Sequence, residues 1–160
     1  MKHRSEPQKA VHQTRCDVYP AHPPKLSSLL GRGCRVRQEG ALFVLANDYL
    51  SANISAATGV VVSLHNHLTG EDHPLAGDKT GFAVRQAENE IWEWTARAGK
   101  ARSFASTVQD AAEAATVVLT EQGADFTVRI SYTLRREQFW IERRLAIEGT
   151  RPFLLDGLTY

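Results

Sequence analysis

Cysteine is scarce in this chain of 160 residues: there are two, Cys16 and Cys34, with none in the remaining three quarters to pair with. Two cysteines make no disulfide framework, and their spacing fits no zinc pattern. Long apolar runs are also missing, since none reaches the ~18 residues that a membrane span needs. The opening MKHRSEPQKAVHQTR carries basic residues without the apolar segment of a secretory signal. As written, the chain is expected in the cytoplasm or to have lost its targeting segment, with no membrane partner. An excess of one charge is lacking too, for the formal net charge is +1. Residues 1–40 hold 8 Lys/Arg against 3 Asp/Glu, and residues 41–160 hold 11 against 15. The body therefore has no basic face with which to neutralise phosphates, which argues against a nucleic-acid partner. No nucleophile elbow, Gly-rich phosphate loop or HExxH occurs. No cofactor and no catalytic residue is expected.

What is present is ordinary globular composition, 42% hydrophobic and 23% charged, in a length that suits one domain with a real core. Residues 1–38 contain Pro7, Pro20, Pro23 and Pro24 and few periodic apolar positions. They read as a disordered or linker arm, basic in character, with a short helical turn near Lys25–Leu30. Order is expected from about Gly40, in a domain over 39–160.

Period two dominates from there. Leu42–Ala46 is a short apolar run, followed by Asn47-Asp48 as turn chemistry. Leu50, Ala52 and Ile54 alternate with polar neighbours, and beyond the AATG turn Val60, Val62 and Leu64 share a face opposite Ser63, His65 and His67. Residues 81–86 and 103–109 read as strands, and DAAEAA at 110–115 as a loop or strand edge. TVVLT at 116–120, then Phe126 to Leu134, then FWIERRLAIEG at 139–149 form a meander with short loops, RREQ being the second. The predicted class is all-β, an antiparallel β-sandwich.

LANDYLSANISAATGVVVSLHNHLTGEDHPLAGD resembles the opening of the galactose mutarotase-like, or carbohydrate-binding supersandwich, domain, and YTLRREQFWIERRLAIEG resembles that family's paired later strands. The likeness covers about residues 40–156. It implies a large twisted β-sandwich of the kind found in sugar epimerases, in parts of some glycoside hydrolases and in polysaccharide lyases. The family's domain is longer than this chain, so a partial supersandwich, incomplete at its C-terminus, is expected. The epimerase His and Glu motifs have no match here, and no catalytic residue is carried over.

Three groups of side chains are candidates for chemistry. SLHNHLTGEDH at 63–73 holds three histidines and two carboxylates. His65 and His67 at i, i+2 can face one metal, with His73 or Asp72 completing the set if a turn folds it back. Polar-out alternation explains these positions without a metal, and no metal is expected. Trp92 and Trp94, with Glu90, share a face at strand spacing and suit a pyranose, whose C–H face stacks on indole. The plainer account is that the indoles fill the core. Arg143 falls in the apolar row of Phe139, Ile141, Leu145 and Ile147, while Trp140, Glu142, Arg144 and Glu148 form an outer row. An arginine in that row must find a partner, either across the strands or on a sugar or uronate. Asp72, Asp78, Glu88, Glu90 and Glu93 offer carboxylates, but no spacing singles out a glycosidase pair.

Taken together, these features lead to an expected role as a carbohydrate-binding or structural module of a glycan-processing protein, with a poly- or oligosaccharide as partner. The alternatives are a fragment that contributes to a hydrolase or lyase cleft, and a ligand-free domain whose exposed sheet edges pair with a second copy or with the rest of a larger polypeptide.

Overall fold

Twelve strands and no helix occur among the described residues of the computed structural model, which are 33–86, 91–97 and 99–159. Cys16, Glu88, Glu90 and the first 32 residues lie outside them. The strands are β1 (Arg35–Glu39), β2 (Leu42–Ala46), β3 (Leu50–Ser55), β4 (Val61–Asn66), β5 (Glu71–Pro74), β6 (Lys79–Arg85), β7 (Ile91–Arg97), β8 (Ala105–Ala111), β9 (Ala114–Gln122), β10 (Phe126–Arg135), β11 (Glu142–Gly149) and β12 (Leu154–Thr159). They form three antiparallel sheets, ordered β1-β2-β3-β4-β5, β11-β10-β9-β8 and β12-β6-β7, and the architecture is an antiparallel β-sandwich. Among the described residues no helix is long and apolar enough to cross a membrane.

Alternation decides what enters the core. Along β10 every second residue from Phe126 to Leu134 is buried, and the residues between are not. Register then extends each position sideways, giving the inner rows Val117–Tyr132–Arg143, Leu119–Ile130–Leu145 and Glu121–Val128–Ile147 across β9, β10 and β11. The five-stranded sheet contributes Val36, Leu45, Ala52 and Leu64 in one such row. The three-stranded sheet adds Phe82 opposite Trp94, and Val84 opposite Trp92. Each fully buried Leu or Ile of these rows is worth about 2–5 kcal/mol against truncation to Ala.

Between β3 and β4, Gly59 takes φ 72° in the AATG turn, and a Cβ there would lie 2.7 Å from Phe104 Cε2. Its carbonyl accepts the Tyr132 hydroxyl at 2.9 Å, which ties this turn to the four-stranded sheet.

The strands differ from the sequence expectation in four places. β1 begins inside the segment read as the arm and crosses its expected end at residue 38; the buried Cys34 and Val36 were too few to show a period. Cys34 N–H donates to the Ala112 carbonyl at 2.9 Å, and β1 pairs along β2, so tertiary contacts make this strand. The β3–β4 ladder shifts register between Asn53 and Ile54. Val61 therefore opposes Ile54 in the core, Val62 falls in the irregularity, and the expected Val60–Val62–Leu64 row is broken. Residues 71–74, to which the sequence assigned no strand, form the short strand β5. Finally β11 begins at Glu142, not at 139, because residues 139 and 140 bend out of the sheet. DAAEAA spans the end of β8, a turn and the start of β9, which agrees with the loop or strand-edge reading.

Candidate ligand cleft

The bend at 139–141 lies over a cleft of about 450 Å³. Leu50, Val61, Leu64 and Leu75 make its apolar walls, Asp78, Tyr132 and Arg143 its polar floor, and Phe139, Trp140 and Ile141 its lip.

The floor follows from register. Arg143 opposes Tyr132 in an inward row, so the guanidinium enters the interior and needs a counter-charge there. Asp78, just before β6, supplies it: Arg143 Nη1 donates to Asp78 Oδ1 at 2.8 Å, with side-chain exposures of 23% and 16%. The other Asp78 oxygen accepts Val61 N–H at 2.9 Å. Burial acts against the Arg143 cation, but hydrogen bonding and charge from Asp78, with help from Tyr132, outweigh it and raise its pKa. Burial also pushes the Tyr132 hydroxyl up to about 12, although nearby Arg143 pulls the other way, so this phenol stays neutral and donates to Gly59.

The lip is aromatic and wet. Phe139 and Trp140 are each 59% exposed. Phe139 lies against the Tyr49 ring, with centroids 4.4 Å apart. Asn47, buried at 3%, fixes the turn before it: its Nδ2 donates to the carbonyls of Arg135 at 2.8 Å and Gln138 at 2.7 Å, while its Oδ1 accepts the N–H groups of Tyr49 and Leu50. An open indole beside a paired Arg and Asp offers stacking and directed hydrogen bonds within one hollow.

The other sequence candidates lie elsewhere. Trp92 and Trp94 do share a face, but it is the inner one. Trp94 is 2% exposed, stacks on Phe82 at 5.5 Å and donates Nε1–H to Glu121 at 2.7 Å. Arg102 covers the indole at 4.7 Å and binds the same carboxylate through Nε and Nη2. Trp92 is half-buried and stacks on Phe126 at 4.5 Å. The space beside the two indoles is about 30 Å³, room for a water and not for a sugar ring. Glu90 lies outside the described residues. Thus the structure does not bring Arg143 together with Trp92 and Trp94.

His65 on β4 and His67 in the turn just after it have rings 5.0 Å apart, and His65 Nδ1 is 2.8 Å from Asp72 Oδ1. His73 pairs with Leu64 across β4 and β5, so it projects to the opposite face, with Nε2 3.8 Å from Glu71. Among the described residues no group of three or more His, Cys, Asp or Glu side chains could hold a metal ion.

Sequence reasoning placed Arg143 correctly in the apolar row but missed Trp140, Asp78 and Tyr132 as its neighbours. Trp140 stood in the expected outer row, but strand alternation gives no sign that residues 139 and 140 leave the sheet and line one cleft with Arg143.

A second hollow, about 530 Å³, opens between the edge strands β11 and β12, lined by Leu145, Ile147, Phe153, Leu155, Leu158 and the arginines 143 and 144. Leu155 opposes Val84 and Leu158 opposes Phe82, so both are inner-face residues, yet they are 56% and 41% exposed. The sandwich is open along this side. Arg143 borders both hollows.

Compared with known proteins, the chain matches no family model and no curated protein sequence.

Proposed function

We propose that this chain is a carbohydrate-binding module of a glycan-processing protein, related to the galactose mutarotase-like supersandwich and without catalysis of its own. The observation that carries the reading is the exposed Trp140 indole beside the Arg143–Asp78 pair in one cleft. The indole takes the C–H face of a pyranose, and the ion pair takes its hydroxyls. Asp78 is the one carboxylate among the described lining residues, whereas the common glycoside hydrolase mechanism uses a pair. As part of a longer hydrolase or lyase, the same cleft contributes to recognition.

A glycan array probed with the full chain tests this. Binding is expected, with no product formed, and Trp140→Ala should abolish it while leaving the circular dichroism spectrum unchanged. Retention of all binding by Trp140→Ala overturns the assignment of the cleft.

The open side between β11 and β12 favours a second reading, a domain that pairs through its edges with another copy of itself. Concentration-dependent dimerisation without sugar binding is its signature.

A further inference from the structure

The inference rests on the carbohydrate reading of the cleft and concerns which sugars enter it. Arg143 and Asp78 are the charged residues among the described lining, and each neutralises the other. Asp78 is anchored on its far side by Val61 N–H, so it cannot swing away to leave the guanidinium free. Tyr132 is an uncharged donor already engaged with Gly59. The remaining lining is apolar or aromatic.

A carboxylated ligand meets two opposed demands there. To reach Arg143 it must come close to Asp78, and two carboxylates in a half-buried hollow repel. To displace Asp78 from Arg143 it must strand a largely buried carboxylate without its counter-charge. A pair of adjacent sugar hydroxyls meets neither. Each hydroxyl is both donor and acceptor, so one can donate to a free lone pair of Asp78 while its neighbour accepts an unused N–H of Arg143. The ion pair stays intact, and the ring's C–H face lies on Trp140.

We propose that the cleft selects neutral pyranosides that present two adjacent hydroxyls, and that it discriminates against uronates. Arg143 is then a hydroxyl donor held in place by Asp78, not a carboxylate receptor.

The test uses the full chain in calorimetric titrations with neutral hexose and 6-deoxyhexose oligosaccharides beside oligogalacturonates and oligoglucuronates. A neutral ligand is expected to bind at least about tenfold more tightly than any uronate. Its affinity should change less than about twofold between about 20 and about 500 mM NaCl, because no net charge is matched. Asp78→Asn, which leaves Arg143 uncompensated, should narrow the ratio by about tenfold or invert it. If that variant does not fold, the selectivity ratio and salt series on the unaltered chain decide. Tighter, salt-sensitive uronate binding that Trp140→Ala abolishes overturns the selectivity and leaves the carbohydrate reading standing. Absence of binding in both classes overturns the two together.

Discussion

Asn47 and Gln138 are joined across ninety residues of chain: the Asn47 amide donates to the Gln138 carbonyl at 2.7 Å while its oxygen holds Tyr49 and Leu50 N–H. One buried side chain thus shapes two turns, and the second leads into Phe139 and Trp140. Asn47→Asp removes both donors and sets a carboxylate against two carbonyl oxygens. It is expected to destabilise the fold by about 2–4 kcal/mol. Urea denaturation gives the stability, and faster amide exchange at 138–141 than in β10 shows whether the lip is what loosens.

Trp94, Glu121 and Arg102 form a polar cluster inside the core, with side-chain exposures of 22% and 14% for Glu121 and Arg102. Glu121→Ala leaves the indole N–H and the guanidinium short of their shared acceptor, at a cost of about 2–3 kcal/mol. Trp94→Ala should cost more, about 3–5 kcal/mol. A Trp94→Ala protein as stable as the parent contradicts its place in the core.

Tyr132 gives a pH dependence whose sign is fixed. Its folded pKa of about 12 exceeds the ordinary 10.0, so the folded state holds this proton more tightly than the unfolded one. The contribution is complete below pH 10 and is lost as pH rises towards 12. It amounts to roughly 2–3 kcal/mol. Denaturation at a series of alkaline pH values should show this slope flattened in Tyr132→Phe, with a constant loss at neutral pH from the missing bond to Gly59. An unchanged slope rules out the effect.

The open side should make the protein associate. Sedimentation velocity over a hundredfold concentration range is expected to show self-association that Leu155→Lys weakens, because the substitution puts a charge among Leu145, Ile147 and Phe153. A monomer at every concentration removes the edge-pairing reading.

Much of the sandwich was legible because one-sided burial writes period two into the sequence. Phe126 to Leu134 and the inward row containing Arg143 are the plainest cases. β1 was not legible, since Arg35 and Arg37 flank a single valine and the strand owes its form to β2 and Ala112. The tryptophan pair shows a further limit. Spacing places Trp92 and Trp94 on one face but does not say which, and Glu121, twenty-seven residues on from Trp94, decides that the indole is enclosed. The cleft depended on long-range events of the same kind: Asp78 meets Arg143 over sixty-five residues, and Asn47 reaches from its own turn to the carbonyls of Arg135 and Gln138 just before Trp140.

Arg143 borders both the cleft and the open side, so the two hollows share a wall that carries a charge. Anything that fills the space between β11 and β12 changes the solvation of the same guanidinium that Asp78 holds towards the cleft. Thermodynamic linkage then works in both directions: a change in cleft affinity on assembly entails an equal change in assembly on cleft occupancy.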